Sequence, residues 1–164
     1  PKFRRGTLRF LYNLSMEFGI STQIHRSQRV TVDLLESIRS AGYQRIELFC
    51  NRPHLDFHDR SLLRSIARWF TENALPPPSI HLPFVENIGP TQRLWISVLE
   101  SERRHREYAL DEIKRSLELA DMLRVSYAVL HLGNLQDQFN PVVFVHAYAA
   151  LSQIRAFAGV DVVI

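Results

Sequence analysis

Short apolar runs that end on a conformation breaker alternate along this chain with stretches of helical spacing, and that alternation restricts its fold more than any other feature. EFGIS at 17–21 precedes TVDLLESIRSAG, in which Leu34, Leu35, Ile38 and Ala41 share one helical face and Gly42 offers a stop. RIELFC at 45–50 follows as a second strand. Behind it, after the polar loop NRPHLDFHD, Asp59 is placed to cap a helix that carries Leu62, Leu63, Ile66, Trp69 and Phe70 on one side. The triple proline at 76–78 cannot continue that helix, so SIHLPF at 79–84 starts a third strand. A long polar connection at 85–104 reads as a lid. It leads to a helix with Leu110, Ile113, Leu117 and Ala120 at +3, +4 and +3. YAVLHLGN at 127–134 is a fourth strand, Asn140 and Pro141 suit the cap and first position of a fourth helix, and DVVI at 161–164 begins a fifth strand.

Regular strand–helix alternation calls for a parallel sheet with right-handed crossovers, either a doubly wound sheet or a (β/α)₈ barrel. Neither G-x-G-x-x-G nor G-x-x-x-x-G-K-[ST] follows any of the runs, which removes the main support for a nucleotide-binding Rossmann or P-loop reading. In a barrel, the groups that do chemistry sit at the C-terminal ends of strands. His81 and His131 stand at or near two such ends, each followed closely by proline or glycine. A neutral imidazole there suits a divalent metal, because ligands can converge on the barrel mouth from separate strands. The alternative is that backbone carbonyls satisfy both rings.

The net charge of +3 does not describe the body of the chain. Lys2, Arg4, Arg5 and Arg9 occupy residues 1–15 without an acid, leaving 16 basic against 17 acidic groups in the remainder. Residues 1–15 therefore read as a basic arm or extension and 16–164 as the barrel part, with Met16 a candidate natural start. A near-neutral body disfavours nucleic acid as a partner, since duplex binding needs phosphate-neutralising Lys and Arg; Arg52 is the one cation strongly placed on the expected face. No apolar run approaches the ~18 residues of a membrane span. The single cysteine, Cys50, excludes an internal disulfide and fits a cytoplasmic location.

GIST, GYQRIELFCNRPHLDFHD, SIHLPF and YAVLHLGN together resemble the xylose isomerase-like barrel superfamily, which includes sugar-phosphate isomerases and epimerases and the endonuclease IV type of abasic-site nuclease. The resemblance runs from Met16 to Ile164. It implies a (β/α)₈ TIM barrel of which this chain holds about the first half, four β/α units plus the start of strand five. It also implies metal-facing roles for His81 and His131, which the nuclease branch uses as zinc ligands. The isomerase branch relies more on acidic and histidine groups from later strands, so the catalytic residues are expected beyond Ile164, beginning with a glutamate soon after DVVI. The implied cofactor is a divalent metal (Mn, Zn, Co or Mg) and the implied partner a small sugar or sugar phosphate. Strand edges left open in a partial barrel point to a second copy as a further partner.

Three residues are candidates on the substrate side. Alternation turns Glu47 into the barrel with Phe49, where it orients His81 or makes a structural hydrogen bond. His54 lies in HLDFH, whose alternation with Asp56 and His58 resembles metal-ligand spacing but also suits a solvated loop closing over substrate. Asn134 reaches a substrate hydroxyl or caps its turn. The leading expectation is a metal-dependent isomerase or epimerase that removes a proton beside a carbonyl and stabilises an enediolate. An endonuclease IV-like zinc nuclease and a non-catalytic, barrel-derived binding protein are the alternatives.

Overall fold

A computed structural model describes residues 18–76, 78–87, 93–133, 140–157 and 159–164. The basic arm and Met16 lie outside them. The elements run β1 (Gly19–Ser21), a 3₁₀ turn (Thr22–His25), α1 (Val32–Ser40), β2 (Arg45–Phe49), α2 (Arg60–Glu72), β3 (Ser79–His81), β4 (Val85–Asn87), β5 (Arg93–Trp95), α3 (Arg103–Leu123), β6 (Ala128–Val129), α4 (Pro141–Phe157) and β7 (Val162–Val163).

The main sheet has the order β1-β2-β3-β6-β7, and every neighbouring pair is parallel. Strand order follows chain order without reversal, so the sheet has no topological switch point and is not doubly wound. Its helices pack in the same sequence, α1 on α2, α2 on α3 and α3 on α4. Together these features are an arc of a (β/α)₈ barrel, one of the two architectures the alternation allows and the one the resemblance implies.

Side-chain parity divides the sheet into two faces. Ile46, Leu48, Ile80, Ala128 and Leu130 are buried with Leu35, Ile38, Leu63, Ile66, Ile113 and Leu117 in one apolar cluster between strands and helices. Ser21, Glu47 and Ser79 stand in one register row on the other face, and Phe49, His81 and Val129 in the next. Two-residue alternation therefore delivers Glu47, Phe49 and His81 to the inner side of the barrel arc.

Local chemistry sets the helix ends. Thr31 accepts from the Leu34 amide at 3.2 Å, and Asp59 accepts from the Ser61 and Leu62 amides at 2.9 and 3.0 Å. At the end of α1 the chain turns through Gly42 at φ +98°, a conformation that costs glycine little. Ala41, expected on the buried face, is instead the exposed C-cap. Asp59→Ala should lower stability by about 1 kcal/mol, measured by urea unfolding. A change below a few tenths would show that water replaces the cap.

The connection at 85–104 contains an element that sequence periodicity does not show. β4 and β5 pair as an antiparallel hairpin, with Val85 opposite Trp95 and Glu86 opposite Leu94. Among the described residues, no helix is long and apolar enough to cross a membrane.

Candidate metal-facing site

Where β2, β3 and β6 end, their C-terminal residues gather an aromatic and imidazole cluster. The ladder continues past the assigned strands: the Cys50 amide donates to the His81 carbonyl at 2.9 Å, and the Leu82 amide to the Val129 carbonyl at 2.9 Å. That extended backbone carries His131, two residues after Val129, to the same side as His81. The two imidazoles stack, with ring centroids 4.9 Å apart and planes 7° from parallel.

Each ring has further neighbours. Phe84 lies 5.5 Å from His81 and 4.9 Å from His131 between centroids, and Phe49 meets His81 edge-on at 5.5 Å. Trp95 of β5 extends the cluster, 6.3 Å from Phe84. His81 Nδ1 stands 3.5 Å from Glu47 Oε1. That contact holds the Glu47 carboxyl below the usual carboxylate range, with the Ser21 hydroxyl adding to the effect and burial opposing it. On the other side of the ring, His81 Nε2 is buried and has no hydrogen-bond partner. His131 is held below its ordinary value by desolvation and then by the neighbouring charge of His81, which favours the neutral form a metal requires.

The site's donor set can be judged from these contacts. A buried imidazole nitrogen without a partner is costly to leave unsatisfied, and a carboxylate on the opposite nitrogen fixes the tautomer that leaves Nε2 its lone pair. Two imidazoles, one oriented by a carboxylate, fit a transition-metal ion as part of its ligand set. Among the described residues, no group of three or more His, Cys, Asp or Glu is arranged to hold such an ion.

The other predicted site residues go elsewhere. His54 is 2% exposed and committed on both nitrogens: Nδ1 is 2.5 Å from the Gln28 carbonyl, and Nε2 is 3.1 Å from Thr22 Oγ1. A carbonyl can only accept, so Nδ1 carries the proton. The Thr22 hydroxyl in turn accepts from the Phe49 amide at 3.0 Å. His54 thus knots the turn after β1 to the turn after β2. The HLDFH loop is solvated only at Asp56 and His58, because Leu55 and Phe57 are buried beside His54, and its polar residues diverge. Asp56 accepts from the His58 amide at 3.1 Å, while His58 Nε2 lies 3.4 Å from Glu112. Asn134 lies outside the described residues.

Burial lowers the His54 imidazole below its ordinary 6.5. The unfolded chain therefore takes up this proton at higher pH than the folded one does. The neutral form's contribution is complete above about pH 6.5 and is lost as pH falls below that value. Unfolding free energy should decline from pH 7.5 to 5.5, and His54→Gln should remove part of the slope. An unchanged slope in the variant would exclude His54 as its source.

A second polar group lies beside this site. Arg52 Nη2 reaches Glu86 at 2.7 Å, Glu112 at 3.1 Å and the Tyr108 hydroxyl at 3.2 Å. Tyr108 also donates to Glu86. Glu112 is 3% exposed, and desolvation raises its carboxyl above the ordinary value even against Arg52 and His58. Glu112 carried a sequence signal, since it sits on the buried face of α3 with Ala109, Ile113 and Ser116. Its partners Arg52 and His58 lie 60 and 54 residues away in the chain, so no local pattern connects them to it.

No family model matches the chain, and no curated protein matches it by sequence. Solved structures do. A D-tagatose 3-epimerase-like protein superposes with a TM-score of 0.68 at 17% identity, over 90% of this chain and 52% of that one. The fold is that of a (β/α)₈ barrel, of which the chain forms an arc. A D-psicose 3-epimerase crystallised in the presence of D-fructose matches with a TM-score of 0.61 at 13% identity, over 90% of this chain and 51% of its own. Endonuclease IV from Thermus thermophilus matches at 0.53 and 19% identity, over 89% and 50%. The chain thus spans about half the length of the barrels it resembles, and the likeness establishes fold alone. Within that fold His81 and His131 lie at strand ends, on the face where such barrels do their chemistry.

Proposed function

We propose that this chain forms the metal-facing part of a divalent-metal-dependent sugar or sugar-phosphate isomerase or epimerase of the xylose isomerase-like type. The observation that carries the reading is the stacked His81–His131 pair at two strand ends, with Glu47 on one nitrogen of His81 and no partner on the other. His81 and His131 would hold the metal, which would polarise a substrate carbonyl and stabilise developing oxygen charge. Glu47 fixes the His81 tautomer. Phe84 packs against both imidazoles and Trp95 against Phe84, which gives the site an apolar wall. Because Glu47 is engaged with His81, the reading assigns proton transfer to groups outside the residues described, and assigns Asn134 to a substrate hydroxyl. A buried, unpaired Cys50 accords with a cytoplasmic setting.

The nuclease reading shares the histidine pair and one structural likeness. Arg52 speaks against it: the cation placed on the expected face is engaged by Glu86 and Glu112 and is not held ready for phosphate. One experiment separates the readings. The full natural polypeptide, purified without chelator, is assayed for metal content, for deuterium exchange from solvent into ketohexoses and their phosphates, and for cleavage of an abasic-site duplex. Bound metal with sugar exchange is expected. Cleavage without exchange would install the nuclease, and neither metal nor turnover would leave a non-catalytic barrel.

A further inference from the structure

We propose that Arg52 is a positioning residue for the histidine pair, acting through Glu86 to fix the β4–β5 hairpin so that Phe84 is held against both imidazoles. The inference deepens the proposed function and rests on it for the site's purpose, though not for the geometry.

Two bonds tie the start of the hairpin to the loop after β2, and a third joins its two strands. Asn51 Nδ2 donates to the Val85 carbonyl at 2.8 Å, Arg52 binds Glu86 at 2.7 Å, and the Ile96 amide donates to the Phe84 carbonyl at 2.9 Å. Phe84 is therefore held from both strands of the hairpin, one residue from the Asn51 bond and two from the Arg52 pair. Among the described residues, its ring is the one that touches both His81 and His131. Arg52 itself is anchored away from the hairpin, by Glu112 and Tyr108 of α3 and by its position 5.8 Å over the Phe57 ring. All three oxygens, of Glu86, Glu112 and Tyr108, are reached by one nitrogen, Nη2, which stands one bond beyond the position a lysine ammonium would occupy on a stem of the same length. The connection therefore runs from a helix, through one cation, to a two-stranded ribbon too small to be rigid alone, and from there to the imidazoles.

Glu86→Ala is the informative variant, because it removes the hairpin's anchor while leaving Arg52 paired with buried Glu112. Arg52→Lys keeps the charge and ends one bond short of the Nη2 position. Both are made in the full chain. The first readout is free of metal: the ring resonances of His81 and His131, which stacking displaces, should move toward those of exposed histidine in either variant, while the amides of Leu35 and Ile66 stay in place. The second is a cobalt titration, in which the Kd should rise about 10-fold in each variant. The double variant should be no worse than the singles, since both act through one contact. Unchanged ring resonances and an unchanged Kd would overturn the proposal, as would changes that appear only with global unfolding. If Glu86→Ala does not fold, Arg52→Lys alone decides. If the unaltered protein binds no cobalt, the functional reading fails, while the ring resonances still test the positioning role.

Discussion

Affinity for cobalt or zinc falls by at least about 100-fold in His81→Ala, while unfolding free energy changes by no more than about 2 kcal/mol. The two expectations come from the two sides of one ring. His81 Nε2 is buried without a partner, so deleting the ring also deletes an unsatisfied polar atom that costs about 1–3 kcal/mol. Against that gain stand the lost contacts with Phe49, Phe84 and His131, aromatic pairs worth about 0.5–1.5 kcal/mol each. The terms nearly offset, and stability moves little. Metal affinity has no such offset, because the lost nitrogen is the donor whose tautomer Glu47 fixes. His131→Ala should behave alike with a smaller effect on stability, since that residue is exposed. Isothermal titration with the metal and urea unfolding on the same samples check both halves. Comparable destabilisation in the two variants with metal content unchanged would make them packing histidines instead.

The parts of this site legible in the sequence are those that depend on one strand at a time. SIHLPF and YAVLHLGN announce His81 and His131 because a breaker follows each apolar run, and period-two alternation in RIELFC places Glu47 inward. What joins them was not legible. Stacking of the two imidazoles depends on β3 lying beside β6 in a particular register, with Ile80 opposite Ala128 and His81 opposite Val129, and on Phe84 closing over both. The β4–β5 hairpin escaped because its strands are three residues each, too short for alternation to register. HLDFH was legible as a loop, but the groups that bury His54 within it, Gln28 and Thr22, come from a distant part of the chain and left no local signal. Arg52 looked like a free cation because the carboxylates that engage it come from β4 and α3.

Adjacent residues of β2 should have opposite consequences when altered, and this tests the barrel parity itself. Leu48 is 0% exposed on the helix side of the sheet, in the cluster with Leu35, Leu63 and Ile66. Leu48→Ala should cost about 2–5 kcal/mol, because a central strand flanked by β1 and β3 cannot collapse to fill the space. The fraction that remains folded should bind metal as before. Glu47, one residue earlier, is half-buried on the inner face and contacts His81 and Ser21. Glu47→Gln keeps the shape and removes the charge, so it should weaken metal binding by about 10- to 100-fold and shift stability by less than about 1 kcal/mol. The contrast follows from side chains pointing to alternate faces of a strand, with hydrocarbon packed on one face and a polar site on the other. If Leu48→Ala were the variant that lost metal and Glu47→Gln the one that unfolded, the two faces of β2 would have been assigned the wrong way round. The inward placement of His81, which shares a register row with Phe49, would fall with them.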